Sequence, residues 1–215
     1  MQKNAKRPWM AYGLIGVLLL AAILFALRPY LGRSTKATSA VEKNNPKVPQ
    51  IAVPDFNADS AFLFIKKQVE FGPRVPNTPA HKKCGQWMVQ EFKRFGLTVI
   101  EQPVQAPYYK GGTMNGVNII AQYKPELRKR ICLAAHWDTR NEAEKDTKDQ
   151  NKPIDGADDG GSGVGVLLEL ARLLSQSSLD IGVDLICFDL EDNGDNGDSD
   201  SWCLGSQYWA KNLHK

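Results

Sequence analysis

The sequence has few cysteines and little excess of basic residues, so it lacks the signals of a structural zinc ribbon and of a nucleic-acid-binding surface. It has four cysteines in 215 residues, none paired in the C-x-x-C spacing of a structural zinc ribbon. The net charge is only +3, and no basic patch with interleaved aromatic residues occurs, so we expect no nucleic-acid partner. Hydrophobic content of 42% and charged content of 24% are ordinary for a chain that can build a core.

The cysteines are expected to be unpaired thiols: Cys84, Cys132, Cys187 and Cys203. Cys132 and Cys187 lie inside short apolar runs, where a free cysteine behaves as a small core residue.

Charge is also missing from residues 8–27, a run of twenty residues long enough to span a bilayer as a helix. Lys3, Lys6 and Arg7 precede it, which favours a cytoplasmic N-terminus. We expect residues 1–30 to be an uncleaved signal anchor, with the rest of the chain periplasmic or extracellular; a cleaved signal peptide is the alternative. Residues 31–54 are polar and contain three prolines, which predicts a linker.

The folded domain is predicted over residues 55–215. Periodicity and breakers predict helices at 59–69, 79–95 and 164–174, and strands at 97–102, 117–123, 131–135 and 183–188. The first helix would turn Phe62, Ile65 and Val69 to the core, and Thr78 would cap the second. The alternation predicts an α/β fold: a three-layer sandwich with a central mixed, mostly parallel sheet flanked by helices.

Three clusters of polar residues follow this framework: AAHWD at 134–138, DGADDGGSG at 155–163 and FDLED at 188–192. The first and third each follow a buried strand, and the second precedes the apolar helix. Because ligands bind at the carboxyl ends of strands in open α/β sheets, we expect the clusters to converge on one edge.

Histidine with several carboxylates is a typical catalytic zinc set, and a carboxylate that does not bind metal can act as general base. Glu191 and Asp192 are adjacent, so one could face the metal and the other the substrate. His136 and Asp138 would share one side of an extended segment, where Asp138 could orient His136. Each signal has an ordinary alternative: Asp158 and Asp159 could simply cap the following helix.

The order of these clusters resembles the zinc aminopeptidase clan, and within it the bacterial glutaminyl cyclotransferases. FGPRVPNTPAH at 71–81, AAHWDTR at 134–140 and the SWCLGSQYWAKN segment from 201 carry the closer likeness. The long insert between Asp192 and Gly205 is also similar to the cyclotransferases and unlike the aminopeptidases.

The resemblance implies that Asp159 and Asp192 bind one zinc ion and that Glu191 is the general acid/base. It places His136 and Asp138 among the site-lining residues, and we take Trp137 and Trp202 as candidate pocket walls, with core packing as the alternative. In the animal enzymes the position of Asp192 is Glu. The family's third zinc ligand, a histidine far downstream, has no match in this chain, since His81 and His214 stand elsewhere. We therefore expect the 215-residue chain to be C-terminally incomplete and inactive by itself.

The implied reaction converts the N-terminal glutamine of a peptide or protein to pyroglutamate with release of ammonia. One alternative is a two-metal aminopeptidase in which His136 is a ligand. Another is a membrane-tethered binding domain that has lost the site. The acidic segment 192–200 suggests a calcium loop or a solvated loop, and it does not match the EF-hand pattern.

Overall fold

The computed structural model of the protein describes residues 53–214. The predicted anchor, residues 1–30, and the predicted linker up to residue 52 lie outside the described residues. Within the described part, no helix is both long and apolar enough to cross a membrane.

Four α-helices and four strands make up the described fold, with one short 3-10 helix at Ser199–Ser201. In chain order they are α1 (Ala58–Glu70), α2 (Pro79–Arg94), β1 (Thr98–Pro107), β2 (Thr113–Tyr123), β3 (Arg130–His136), α3 (Gly161–Ser175), β4 (Gly182–Phe188) and α4 (Leu204–Lys211). The first seven were predicted to within a few residues, except that β1 and β2 are longer. The sequence analysis did not identify α4.

The helices α1 and α2 begin where the sequence offers an acceptor for a free amide. Asn57 accepts a hydrogen bond from the Ser60 amide at 2.9 Å, and Thr78 accepts one from the His81 amide at 3.3 Å. Pro79 then occupies the first turn of α2, where a missing N–H costs nothing. The predicted cap at Thr78 is confirmed.

The sheet has the strand order β1-β2-β4-β3. The pairs β1/β2 and β2/β4 are antiparallel, and only β3/β4 is parallel. The expectation of a mixed sheet is confirmed, but "mostly parallel" is wrong for the described strands. The physical reason is a hairpin: residues 108–112 close a tight turn, so β2 folds straight back on β1.

Helices lie on both faces of the sheet. On one face α2 and α3 cover alternate strand residues, among them Ile119, Ala121, Leu185 and Cys187. The other face meets α4, since Asn118 of β2 donates to the Gly205 carbonyl at 2.9 Å. α1 packs on α3. The carboxyl ends of β3 and β4 lie side by side, with α3 packed against both strands.

Two burial predictions are wrong. Ile131 and Leu133 were expected to be buried, but they are 47% and 38% exposed, because β3 is an edge strand of the described sheet. Phe62 is 65% exposed, because α1 instead turns Ala61 and Gln68 toward α3. All four cysteines are free thiols, as expected; Cys187 is buried, whereas Cys132 on β3 is exposed.

Candidate active site

The three polar clusters meet at one edge, as the sequence analysis predicted. His136 and Phe188 are register partners at the ends of the parallel strands β3 and β4. The Trp137 amide donates to the Phe188 carbonyl at 3.0 Å, which extends the pairing one residue beyond the strands. The 155–160 loop reaches the same place before α3 begins, and Gly160, with φ of 80°, lies against the His136 ring.

Asp138 organises the start of the loop after β4. Its carboxylate is fully buried and accepts hydrogen bonds from the amides of Glu191 at 3.0 Å and Asp192 at 3.1 Å. Asn193 adds a side-chain amide to the same carboxylate at 3.3 Å. The Asp138 carboxylate therefore fixes the backbone from which the Glu191 and Asp192 side chains project. It lies 3.7 Å from His136 Nδ1, so its link to His136 is electrostatic and looser than we expected.

His136 lies at the centre of the carboxylates. Its Nε2 is 2.9 Å from Asp159 Oδ1, and its Nδ1 is 3.7 Å from Glu191 Oε2. Burial alone would lower the pKa of His136, but the charges of Asp138, Glu191 and Asp159 outweigh it and raise that pKa to about 9. The surroundings of this imidazole thus favour positive charge.

Asp192 is 6% exposed. Burial, with the charges of Asp159, Asp138 and Glu191, raises the pKa of Asp192 to about 7. Its Oδ2 is buried and accepts no hydrogen bond, and neither does the buried Nδ1 of His136. A buried carboxylate oxygen without a donor is costly unless a cation is available to it.

These observations test whether the residues fit zinc. Asp159 and Asp192 line one cavity of about 440 Å³, and Asp159 also contacts His136. The two acids supply oxygen ligands of the kind zinc accepts. Within residues 53–214, no three histidine, cysteine or acidic side chains enclose a metal position by themselves. The residues present therefore fit zinc as part of a coordination shell.

Asp158 and Asp159 do not cap the following helix. The N-cap of α3 is Gly160, and no side chain accepts a hydrogen bond from its first turn. Asp159 is exposed, with 62% of its side chain accessible. The capping alternative is therefore wrong, and the Asp159 carboxylate is available to a ligand.

The two predicted tryptophan walls behave differently. Trp202 lines the cavity that Asp159 and Asp192 share, and its ring lies 4.7 Å from the Arg140 guanidinium. Trp137 is fully buried, and its ring is stacked on His81 at 4.2 Å. Trp137 does not line the cavity of Asp159 and Asp192; it lines a second cavity, with His81 and Val117, and its indole donates to the Val117 carbonyl.

Arg74 is a supporting residue that the sequence analysis did not single out, although it lies in the quoted FGPRVPNTPAH motif. It is fully buried and donates to the carbonyls of Trp137 at 3.1 Å, Asp155 at 2.5 Å and Gly156 at 2.7 Å. One guanidinium thus ties the loop of the first cluster to that of the second.

The other two histidines do not enter the site. His81 Nε2 is 2.9 Å from both oxygens of Asp189, which is fully buried beside the site loop. His214 accepts from Trp209 at 2.8 Å and faces Asp184. In the acidic segment, Asp195 and Asp198 accept backbone amides within their own turns. This arrangement is that of an ordinary loop.

Comparison with known proteins agrees with this architecture. Residues 118–215 match the sequence model of Peptidase family M28. A Zn-dependent exopeptidase from Parabacteroides distasonis is 51% identical, with a TM-score of 0.73 over 76% of this chain and 59% of its own. The fold is thus a mixed α/β sheet of the zinc exopeptidase type.

Bacterial glutaminyl cyclases are similar to this chain to the same degree, and their likeness was predicted from the sequence motifs. The glutaminyl cyclase of Bacteroides thetaiotaomicron is 48% identical, with a TM-score of 0.74 over 76% of this chain and 59% of its own. The Escherichia coli protein YfbL is 31% identical over 68% of this chain and 42% of its own length. The chain therefore spans about three fifths of the solved relatives and two fifths of the curated one.

Proposed function

We propose that the protein is a zinc-dependent glutaminyl-peptide cyclotransferase, which converts the N-terminal glutamine of peptides to pyroglutamate and releases ammonia. The observation that carries the proposal is the difference in surroundings between the neighbouring acids Glu191 and Asp192. Asp192 lines the same cavity as Asp159 and has a buried oxygen without a hydrogen-bond donor, whereas the Glu191 side chain is 32% exposed. One acid is thus placed for a cation and the other for a substrate proton.

The reaction needs a proton to move between two nitrogens of one residue. The α-amine of the glutamine attacks its own γ-carbon, and the bond to the amide nitrogen breaks. Glu191 takes a proton from the attacking amine and delivers it to the departing ammonia, so no water is consumed. Zinc, when bound, supplies Lewis-acid polarisation of the γ-carboxamide oxygen.

The chain's other residues keep Glu191 and the cavity in place. Asp138 holds the Glu191 amide, Arg74 holds the facing loops, and Trp202 gives the cavity an aromatic wall. The Trp202 ring beside the carboxylates suits the two methylenes of a glutamine side chain, and peptides with an N-terminal glutamine are the proposed partners.

The proposal is tested by incubating the full-length, zinc-loaded protein with a glutamine-initiated peptide, with and without a chelator, and following the peptide's mass. Loss of the mass of one ammonia, blocked by the chelator and restored by zinc, supports it. N-acetylhistamine, which is bound in the Bacteroides thetaiotaomicron glutaminyl cyclase, is expected to compete with the peptide. No mass change with zinc restored would favour a binding domain.

A zinc aminopeptidase is the second candidate, because the contact between His136 Nε2 and Asp159 Oδ1 would let both side chains approach a second metal. Release of the free first residue, with two zinc ions per active chain, would establish it. The cyclotransferase predicts one zinc ion per chain and no free amino acid.

We further propose that residues 8–27 anchor the protein in the cytoplasmic membrane, with the catalytic domain outside. Support comes from the uncharged run and the basic residues before it. The protein should stay in the membrane fraction after a salt wash, and protease added to spheroplasts should degrade it. Recovery in the soluble fraction, cut after the apolar run, would instead indicate a cleaved signal peptide.

A further inference from the structure

Residues 189–191 and 203–205, at the two ends of the long loop after β4, run antiparallel beside the site. The amides of Cys203, Leu204 and Gly205 donate to the carbonyls of Glu191, Leu190 and Asp189, at 3.1, 2.9 and 3.1 Å. Three consecutive amides thus meet three consecutive carbonyls, which places Cys203 directly opposite Glu191.

The close approach depends on Gly205. A Cβ on this residue would lie 2.1 Å from the Asp189 carbonyl oxygen and 2.5 Å from Asn118 Oδ1, so no larger residue fits. The register of the two segments is therefore set by packing that only glycine permits.

Cys203 has an unusual backbone for a residue with a side chain. Its φ is 55° and its ψ 33°, the left-handed region that costs roughly 1 kcal/mol or more outside glycine. It is the N-cap of α4, where serine, threonine, aspartate and asparagine are preferred, yet its side chain makes no capping hydrogen bond. Helix capping therefore does not explain a cysteine here.

The thiol points to the Glu191 carboxylate. Cys203 Sγ lies 3.3 Å from Glu191 Oε1, within the range of a hydrogen bond to sulfur. Burial raises the pKa of Cys203 to about 11, and the hydrogen bond to Glu191 and its charge act in the same direction. The sulfur thus keeps its proton near neutral pH and can donate it.

We propose that Cys203 is a positioning residue for Glu191. Its thiol donates to Oε1 of the carboxylate, which leaves Oε2, the oxygen on the His136 side, to exchange the substrate proton. The inference rests on the proposed cyclotransferase function and adds a residue to its acid/base machinery.

The test compares Cys203→Gly and Cys203→Ser in the full-length, zinc-loaded protein. Glycine removes the thiol and also relieves the left-handed backbone, so Cys203→Gly should fold at least as stably as the parent protein. We expect the kcat of Cys203→Gly to fall about tenfold, which is part of the rate factor that general acid/base catalysis contributes. Its KM should stay within about twofold of the parent value. Cys203→Ser keeps a donor, and its kcat should stay within about threefold of the parent.

Cys132→Ser is the matched control, since Cys132 is an exposed free thiol on the edge strand. It should leave kcat and KM unchanged. A Cys203→Gly protein that is folded, zinc-loaded and within about twofold of the parent kcat would overturn the proposal. So would a serine variant as slow as the glycine variant.

A second measurement separates this inference from the proposed function. The infrared S–H stretching band of Cys203, assigned by its loss in Cys203→Ser, should move to higher frequency in Glu191→Ala as the hydrogen bond is lost. An unmoved band would refute the contact. If the parent protein releases no ammonia, the proposed function is wrong. The S–H band then still shows whether the Cys203 thiol donates a hydrogen bond to Glu191.

Discussion

Glu191 is accessible, but its backbone is bound on both sides. Its amide donates to Asp138, and its carbonyl accepts the Cys203 amide. Its neighbours thus fix the position of its carboxylate, to which the proposed function assigns proton transfer. Substitution Glu191→Gln changes only the ability to move a proton, so we expect kcat to fall by a factor of about 10² to 10⁴ while zinc stays bound.

Peptide turnover and zinc content per chain check this prediction together. Asp195→Asn, a change of similar size in the exposed part of the same loop, is the control and should have no effect on either. A Glu191→Gln protein that retains turnover would remove Glu191 from the acid/base role.

Asp138 acts through other residues. Asp138→Asn replaces one buried acceptor oxygen with an NH₂ group, which would face a backbone amide of Glu191 or Asp192. We expect a loss of about 2 kcal/mol in the free energy of unfolding and a 10- to 100-fold weaker affinity for zinc. Denaturant unfolding and chelator competition measure the two effects. Unchanged zinc affinity would show that Asp138 does not position Asp192.

At the scale of the elements, Arg74 links the loop after β3 to the loop before α3, which share no strand pairing at these residues. Arg74→Ala leaves three carbonyls near the base of the site without their donor, and we expect the free energy of unfolding to fall by about 3 kcal/mol or more. Arg128→Ala, at an exposed position, is the matched control and should stay within about 0.5 kcal/mol of the parent. Equal stability of the two variants would contradict the clamping role.

The ends of β3 and β4 away from the site are joined by a different pair. Arg130 of β3 donates to both oxygens of Asp184 on β4, at 3.0 and 2.6 Å, with Gln122 and His214 also facing the carboxylate. Burial works to raise the pKa of Asp184, but the hydrogen bonds from Arg130 and Gln122 outweigh it and lower that pKa.

A carboxylate whose pKa is lower in the folded state stabilises that state above its unfolded pKa, near 3.9. The stabilisation is lost as the pH falls through the folded value. We therefore expect Asp184→Asn to be less stable than the parent at neutral pH, with the difference shrinking below about pH 4. Urea unfolding at several pH values measures it. A difference that stays constant below pH 4 would contradict the assignment to this carboxylate.

The sequence predicted most elements because their signals are local. Apolar runs, Thr78 with Pro79, and Gly96 mark ends that depend on nearby residues only. α4 was missed because its eight residues carry a weak apolar pattern and gain their place from Gly205 against β2 and Asp189. The exposure of Ile131 also escaped prediction, since an apolar run looks the same in a central and an edge strand.

At the scale of the whole molecule, the convergence of the three clusters could be predicted and their supports could not. Because ligand-binding residues gather at the carboxyl ends of strands, the sequence alone predicts that His136, Asp159 and Asp192 share one edge of the sheet. The contacts of Asp138 and Arg74 join segments about 50 to 80 residues apart. The contact of Cys203 with Glu191 closes an irregular loop. No local sequence pattern predicts any of these contacts. The burial of Trp137 likewise depends on His81, from a different helix.

The central claim is that the protein joins an amine to a carboxamide within one residue without using water. The most direct measurement is the mass of a glutamine-initiated peptide after turnover by the full-length, zinc-loaded protein in heavy-oxygen water. We predict a product lighter by one ammonia that contains no heavy oxygen. A glutamate product that has gained heavy oxygen would contradict the account. So would a peptide shortened by its first residue, with heavy oxygen in the carboxylate of the released glutamine.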